Sequence, residues 1–304
     1  GAPTWRPPSA SERPPGPTVR PPRPRRRAAA EEPGSSAVRR RPTDRPRDPT
    51  LVHEGARLGI EFRLVEPIGH GGMGKVWLAI HLGLDRPVAL KVLHRRVHDD
   101  RQHRSRFERE ARAIGRLRHP GIVDALDFGE LEDGRNFLAM EYVRGRTLEA
   151  IAREQAPLPW RVAARLGADA ADALAFAHAH GVIHRDLKPD NLIVEGGDPT
   201  SGRVRIVDLG LARIEDAGFG VDTGRHFALG TAAYSAPEQL RGEASGSPAD
   251  VYGLGAVLHR LIGGQPPRPG RTFEEVVTSV REGPPASLGD VRPDPSRPAG
   301  LDAL

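Results

Sequence analysis

The most informative stretch of the sequence reads HRDLKPDN and occupies residues 184–191. It contains an acid that can accept a proton, Asp186, a lysine two places on, Lys188, and an amide that can bind a metal, Asn191. The chain holds three lysines among 45 Lys and Arg residues, so a lysine is retained either where Arg will not serve or by chance. This combination makes phosphoryl transfer the leading hypothesis.

Positive charge and proline are concentrated at the N-terminus. Residues 1–50 contain 13 Pro, 12 Arg and five acidic residues, a charge of +7, so the rest of a chain whose total is +5 carries about −2. Such a segment buries too little apolar surface to fold alone, and we expect residues 1–55 to be a disordered tail. A Pro-rich ligand or a nucleic-acid tether is one interpretation. A solvated tail without a partner is the one we favour, so nucleic-acid binding is not expected.

The composition excludes several classes of protein. The absence of Cys rules out disulfides, thiolate catalysis and Cys-bound zinc, and it fits a reducing compartment. No apolar stretch reaches the roughly 18 residues of a membrane helix. We therefore expect a cytoplasmic catalytic domain, with a membrane anchor beyond residue 304 left open and no prediction of the oligomeric state.

Hydrophobic periodicity predicts two different halves. The first is rich in strands and has one main helix, and the second is mostly helical, with short strands around 184–191 and 204–207. A cleft with polar motifs is expected between the two halves. The predicted strands are 58–65, 75–80, 87–92, 122–128 and 137–142, and the predicted helices are 105–118, 162–177, 249–262 and 273–282.

A glycine-rich stretch, GHGGMGKV at residues 69–76, lies between two predicted strands. Gly69, Gly71 and Gly74 would let the backbone approach phosphates. A dinucleotide fingerprint needs a helix next, and here a strand follows. The phosphate loop of nucleoside triphosphatases needs Ser or Thr after its Lys, and here Val76 follows. Taken alone, the stretch could also be an ordinary hairpin.

Lys91 ends an apolar strand, where its charge needs a partner. Glu110 shares the inward face of the helix predicted at 105–118, whereas Glu108 points away. We favour a Lys91–Glu110 ion pair over a lysine that extends to solvent and a surface glutamate.

Two acids and an amide could organise the chemistry. Asp186 could accept the proton of a substrate hydroxyl, and Lys188 could neutralise the transferred phosphoryl group. Asp208, which follows the strand at 204–207, offers with Asn191 a donor set that suits Mg²⁺.

The order of these motifs resembles the protein kinase superfamily, and most closely the bacterial serine/threonine kinases of eukaryotic type. The resemblance runs from about Leu58 to the C-terminus and implies an α+β protein of two lobes, one β-rich and one α-rich. It implies a kinase domain over 56–304, with lobes at about 56–143 and 144–304. The motifs are GxGxxGxV, VALK, a helix Glu, HRDLKPDN, DLG and APE.

The resemblance implies a role for each matched residue. The substrates would be ATP and the Ser or Thr hydroxyls of proteins, with Mg²⁺ or Mn²⁺ as the cation. Asp186 would be the catalytic base, with Lys188 on the γ-phosphate, Lys91 on the α- and β-phosphates and Glu110 bracing Lys91. Asn191 and Asp208 would bind the metal. The remaining nucleotide contacts would come from Gly69, Gly71, Gly74, Val76, Ala89, Met140, Glu141, Val143 and Ile193.

Three further residues are implied to be regulatory. Arg185 would pair with a phosphate on the activation segment, residues 208–238, and Thr223 is the expected autophosphorylation site. Thr231, with Lys188, belongs to the serine/threonine pattern.

The sequence departs from the family pattern at two places. Leu209 replaces the Phe of the metal-binding triplet, a change that keeps the apolar contact. The segment expected to supply an Arg partner for Glu238 is not found, so we expect the α-rich lobe to lack its last helices. The alternative function is therefore a catalytically impaired pseudokinase or scaffold.

Overall fold

The structure covers most of the chain after the N-terminal tail. The tail, Glu110 and Thr223 lie outside the described residues. In a computed structural model of the chain, the described residues are 57–58, 62–71, 74–93, 108–109, 111–131, 134–209, 229–270, 272–294, 296–298 and 300–301.

Six antiparallel strands form the first sheet, in the order β1-β2-β3-β4-β6-β5. The register pairs Val76 with Lys91, and it pairs Ala89 with Met140, so residues predicted to surround a nucleotide lie on neighbouring strands. The strands are β1 Arg57–Leu58, β2 Phe62–Gly71, β3 Gly74–His81, β4 Arg86–Leu93, β5 Ala125–Glu130 and β6 Asn136–Glu141.

The predicted strands at 75–80, 87–92 and 137–142 are confirmed to within one residue at each end. The single strand predicted over 58–65 was wrong. Two strands run through this region, and β1 pairs back on β2 with Leu58 opposite Phe62. The strand predicted at 122–128 begins only at Ala125, because Ile122 instead forms an isolated parallel bridge with Ile206.

The helix predicted at 105–118 is helical at residues 108–109 and 111–114, and it ends earlier than expected. The chain tightens after Ile114, where Arg116 N–H donates to Ala113 O and Leu117 N–H to Ile114 O. Hydrogen bonds that span three residues rather than four end an α-helix in a narrower turn.

A second, three-stranded sheet in the order β7-β8-β9 accompanies the helices of the other lobe. No strand lies directly before the HRDLKPDN segment, since residues 148–183 contain helices and turns, contrary to the prediction of strands on both sides of it. The strands are β7 Gly145–Thr147, β8 Leu192–Glu195 and β9 Val204–Ile206. The helices are α1 Leu148–Gln155, α2 Trp160–Ala179, α3 Leu229–Ala232, α4 Pro237–Leu240, α5 Ser247–Gly263, α6 Phe273–Glu282 and α7 Leu288–Val291.

Local sequence explains where these helices begin and end. Thr147 accepts a hydrogen bond from Ala150 N–H at the start of α1, and Thr272 accepts one from Glu275 N–H at the start of α6. Gly181 and Gly264 have φ of 75° and 85°, a conformation that favours glycine, just after α2 and α5. The three long helices were therefore predictable, and the last prediction, 273–282, matches α6 at both ends.

The apolar core of the α-rich lobe lies between α2 and α5. Leu166 and Leu261 are fully buried there, and a Cβ added to Gly167 would lie 2.8 Å from the Leu258 side chain, so the two helices pack closely. The same cluster includes Leu187 and Leu192. Because these two residues flank Lys188 and Asn191, the core holds the polar segment in place.

Candidate active site

The HRDLKPDN segment leads from α2 to β8 and is anchored by one buried carboxylate, Asp250 of α5. Its Oδ2 accepts the backbone N–H of His184 at 2.8 Å, and its Oδ1 accepts that of Arg185 at 2.7 Å. His178 Nε2 of α2 lies 2.7 Å from the same Oδ2. Asp250 is 1% exposed, so these contacts replace the water that a carboxylate requires. Two helices thereby fix the start of the segment.

Arg185 has an unusual backbone conformation, with φ of 66°. A non-glycine residue in this region is strained, and contacts on both sides hold it there. Asp250 binds its N–H, and Gln239 Nε2 donates to its carbonyl oxygen at 2.7 Å. The Arg185 guanidinium forms no ion pair with the described residues. Its charge remains available to an anion.

His184 connects the segment to the residues after β9. Its Nδ1 accepts the N–H of Asp186 at 3.3 Å, so the ring proton lies on Nε2, which donates to Val207 O at 3.1 Å. Val207 N–H in turn donates to Asn191 O at 3.0 Å. These contacts bring the two predicted metal ligands, Asn191 and Asp208, onto adjacent stretches of backbone.

Asp186, Lys188 and Thr231 form a single polar group. Lys188 Nζ lies 3.1 and 2.9 Å from the two carboxylate oxygens of Asp186, and it donates to Thr231 Oγ1 at 2.9 Å. Asn191 Nδ2 donates to the Asp186 carbonyl oxygen at 2.7 Å. The carboxylate is therefore held beside an ammonium group and a hydroxyl, an arrangement suited to proton transfer from an alcohol.

Lys91 pairs with Asp208, with Nζ 2.9 Å from Oδ2, and its side chain is 8% exposed. The partner predicted from the sequence, Glu110, lies outside the described residues, so the Lys91–Glu110 pair stays a prediction. Asp208 has φ of 58°, a strained conformation that Asp tolerates better than most residues. A buried lysine is thus neutralised by the carboxylate that follows β9.

The second oxygen of Asp208, Oδ1, is buried and forms no hydrogen bond with the described residues. A buried carboxylate oxygen without a partner is costly, and a hard cation would satisfy it. No group of three His, Asp or Glu side chains that could enclose a metal occurs among the described residues. The donor set therefore fits an Mg²⁺ ion that takes its other ligands from phosphate and water.

An apolar surface lies beside these charges. Met140 and Val143 are buried in one cluster, and Ala89 and Ile193 pack against it from β4 and β8. Val76, opposite Lys91 on β3, is half-buried. Four of the predicted nucleotide contacts thus lie together, at the junction of the two sheets.

The backbone between Glu141 and Val143 contains unpaired polar groups. Glu141 N–H donates to Asp124 O at 2.9 Å. Val143 is 8% exposed, and its N–H and C=O form no hydrogen bond with any part of the chain that the structure describes. Buried amide groups are usually paired, so Val143 offers one donor and one acceptor to a flat ligand.

The glycine-rich stretch is a hairpin between β2 and β3. A Cβ at Gly74 would lie 2.1 Å from Val92 O, so this glycine permits the close pairing of β3 with β4. A Cβ at Gly69 would be 3.6 Å from Val76, which leaves room. Gly71 ends β2 opposite Gly74. The ammonium of Lys75 lies 5.1 Å from the centre of the Trp77 ring, which accounts for the third lysine.

Sequence reasoning missed the two residues that anchor the active segment, Asp250 and Gln239. The sequence did contain a signal for Asp250. An acid inside the apolar helix predicted at 249–262 is costly without a partner, so a buried contact could have been expected there. Gln239 gave no such signal. Its Oε1 accepts Ala236 N–H at 3.0 Å, but the usual reciprocal cap has Ser or Thr three residues earlier, and alanine cannot return the bond.

Comparison with known proteins identifies similar chains. The family model described as "Protein kinase domain" matches residues 62–287. The chain is 41% identical over 220 residues to the serine/threonine-protein kinase pkn3 of Myxococcus xanthus, which covers 71% of this chain and 40% of that protein. It is 40% identical over 234 residues to the serine/threonine-protein kinase PknB of Mycobacterium tuberculosis, which covers 75% of this chain and 37% of that protein.

A solved structure agrees with these sequence matches. The crystal structure of the Mycobacterium tuberculosis PknI kinase domain superposes with a TM-score of 0.61 and 30% identity, covering 83% of this chain and 88% of that one. The chain spans about two fifths or less of the length of the curated relatives. The predicted two-lobed α+β fold is confirmed.

Proposed function

Because this chain belongs to the protein kinase family, we propose that it transfers the γ-phosphate of ATP to serine or threonine hydroxyls of proteins. The observation that carries the proposal is the contact of one lysine, Lys188, with both Asp186 and Thr231. An acid, an ammonium and a hydroxyl at hydrogen-bond distance supply a base and a positive charge at one point. The relatives named above as serine/threonine kinases support the choice of acceptor.

Asp186 is the proposed catalytic base. A substrate hydroxyl oxygen forms a bond to the γ-phosphorus, the bond to the leaving ADP oxygen breaks, and the hydroxyl proton passes to the Asp186 carboxylate. Lys188 neutralises charge on the transferred group, and Asn191 orients the base through its contact with the Asp186 carbonyl. Lys188 and Asn191 hold the carboxylate by hydrogen bonds, so the step should need little reorganisation of the base.

The nucleotide occupies the apolar junction in this proposal. The adenine ring lies among Val76, Ala89, Met140 and Ile193, and the unpaired backbone groups of Val143 supply its hydrogen bonds. Glu141 precedes this contact along the chain. Lys91 holds the α- and β-phosphates, and Glu110 is proposed to brace it. The hairpin with Gly69, Gly71 and Gly74 covers the phosphates.

Asn191 and Asp208 would hold Mg²⁺, and Mn²⁺ could replace it. The buried Oδ1 of Asp208 supports this assignment. A divalent cation there would neutralise negative charge on the phosphate oxygens. Arg185, whose guanidinium forms no ion pair with the described residues, would pair with a phosphate that the kinase places on Thr223 of its own activation segment.

The proposed kinase domain covers residues 56–304, and the lobes meet near residue 143. A tail of residues 1–55 precedes it. No helix within the described ranges has the length and hydropathy to cross a membrane. We propose a cytoplasmic catalytic domain, and the complete absence of Cys fits the reducing conditions there.

A transfer assay tests the proposed function. Purified chain, Mg²⁺ and radiolabelled ATP are combined with a generic basic protein, and the labelled residues are identified by mass spectrometry. We expect labelled Ser or Thr with the wild type and a loss of at least about 10³-fold with Asp186→Asn, since the base is removed. Asp198→Asn, in an exposed turn, is the matched control and should retain activity.

A folded wild-type chain that binds ATP and transfers no phosphate would contradict the proposal and support the scaffold alternative. Present observations do not favour that alternative. Lys91, Asp186, Asn191 and Asp208 all retain the residue types that the chemistry requires, and contacts connect them.

A further inference from the structure

Arg205 of β9 lies at the centre of a charged contact outside the proposed chemistry. Its Nη2 is 2.6 Å from Glu141 Oε2, and its Nη1 is 2.7 Å from Glu195 Oε1. Nη2 also donates to Ile122 O at 3.2 Å. The Arg205 side chain is 12% exposed, and its Nε is buried without a partner in the described structure. Two carboxylates thus neutralise the charge of one buried guanidinium.

The two carboxylates belong to different parts of the fold. Glu195 ends β8, which pairs with β9 in the small sheet, so the Arg205–Glu195 contact lies within one sheet. Glu141 ends β6 of the six-stranded sheet, so the Arg205–Glu141 contact joins the two sheets. Val123 N–H donates to Ile206 O and Ile206 N–H donates to Gly121 O at the same junction.

The electrostatics indicate a strong interaction. Burial tends to lower the pKa of Arg205, but hydrogen bonds and charge from Glu195 and Glu141 outweigh burial and raise the pKa above its ordinary value. A planar guanidinium can hold two carboxylates at fixed angles, which an ammonium group cannot do. Each contact therefore constrains direction as well as distance.

Glu141 is two residues from Val143, a buried residue whose backbone N–H and C=O form no hydrogen bond with the described residues. We propose that the Arg205–Glu141 ion pair is a positioning contact that fixes the backbone at 141–143 for the purine base of a nucleotide. The inference rests on the proposed function to the extent that this nucleotide is ATP. A backbone held in its binding conformation loses less entropy when the ligand binds.

Two nearly isosteric substitutions, each of which removes one negative charge, separate this role from simple charge balance. Glu141→Gln removes the carboxylate that joins the sheets, and Glu195→Gln removes the one within a single sheet. The two glutamate side chains are 41% and 42% exposed, and both contact the same guanidinium, so the variants are closely matched. Binding of Mg²⁺–ADP is measured by calorimetry, and kcat and KM for ATP are measured by phosphate transfer.

We expect Glu141→Gln to weaken ADP binding by about three- to ten-fold, the range for a partly buried ion pair. KM for ATP should rise by a similar factor while kcat at saturating ATP is maintained, because the contact acts on binding rather than on the transferred group. Glu195→Gln should bind ADP as the wild type does. Arg205→Lys, which keeps the charge and loses the planar fork, should reproduce the effect of Glu141→Gln.

Equal weakening by both glutamine variants would overturn the inference, since it would show a general need for negative charge near Arg205. Unchanged or tighter ADP binding by folded Glu141→Gln would overturn it as well. The two readouts also separate this inference from the proposed function. A chain that shows the expected ADP affinities and transfers no phosphate would refute kinase activity and support the positioning role.

Discussion

Lys91 Nζ lies 2.9 Å from Asp208 Oδ2, and this ion pair joins β4 of the six-stranded sheet to the loop that follows β9 of the small sheet. The pair leaves Asp208 Oδ1 buried and without a hydrogen bond in the described structure. One carboxylate therefore neutralises a buried lysine through one oxygen and has its other oxygen available for a cation. The positive charge proposed for phosphate binding and the proposed metal ligand hold each other in place.

Replacement of Lys91 by Met should lower the phosphate-transfer rate by at least about 10²-fold, because a buried positive charge at the phosphates is lost. The free energy of unfolding should fall by only about 1–2 kcal/mol, because Asp208, the partner left behind, is 24% exposed and can be hydrated. Initial rates and denaturant unfolding measure the two effects. Lys75→Met is the control, because that ammonium lies over Trp77, and an equal loss of rate in both variants would contradict the assignment.

Two glycines of α5 should respond in opposite directions to alanine. A Cβ at Gly253 would lie 3.1 Å from both the side chain and the carbonyl oxygen of Leu187, next to Asp186, so Gly253→Ala should displace this loop and reduce transfer. A Cβ at Gly255 would have no neighbour within 4 Å among the described atoms, so Gly255→Ala should raise stability by about 0.5–1 kcal/mol. Thermal unfolding and transfer rates distinguish the pair. If Gly255→Ala reduced activity while Gly253→Ala did not, the assignment of Gly253 as the glycine that positions the loop would be wrong.

Tyr234 predicts an alkaline limit to stability. Burial, together with nearby Glu149, raises the pKa of its hydroxyl from 10.0 to about 12. The folded chain thus holds this proton more tightly than the unfolded chain, so the stabilisation is complete below pH 10 and is lost as the pH rises towards 12. The full loss is about 2–3 kcal/mol. The Tyr234→Phe variant has no hydroxyl at this position, so its free energy of unfolding should not contain this pH-dependent contribution.

Denaturant unfolding of the wild type and Tyr234→Phe at several pH values measures the difference. The free-energy gap should be constant at about pH 7–9 and should shift in favour of the Phe variant by about pH 11. A gap that stays constant throughout this range would show that the hydroxyl does not titrate with folding.

Thr223→Ala should lower kinase activity, because the guanidinium of Arg185 would lose its proposed phosphate partner. Mass spectrometry of the wild type after incubation with ATP should find phosphate on the segment 208–238. Thr278→Ala, at an exposed position of α6, is the matched control. Full activity of Thr223→Ala together with an unmodified segment would refute this proposal.

Much of the site could be predicted from local sequence. The HRDLKPDN segment contains Asp186, Lys188 and Asn191 within six residues, so the chain connectivity alone keeps them close together. The tertiary structure decides only how their side chains are oriented. The positions of α2, α5 and α6 were predictable for a similar reason. Apolar spacing and a terminal glycine or threonine act within a few residues of each other.

Contacts between distant residues could not be predicted in the same way. Asp250 is 65 residues from Arg185, and Arg205 is 64 residues from Glu141, yet each pair is within 2.7 Å. Arg205 stands between Val204 and Ile206 in an apolar strand, and nothing near it in sequence indicates a partner. Such pairs form only when two elements pack.

The sequence by itself determined which chemical groups are present and their order, and it located the three long helices α2, α5 and α6 and the strands β3, β4 and β6, because these depend on short-range sterics and hydrophobic periodicity. Only the tertiary structure decided which buried charges meet. Lys91 contacts Asp208, and Arg205 contacts Glu141 and Glu195, because strand register and sheet packing bring those side chains together. A buried charge requires a partner, but its own sequence neighbourhood does not specify which one.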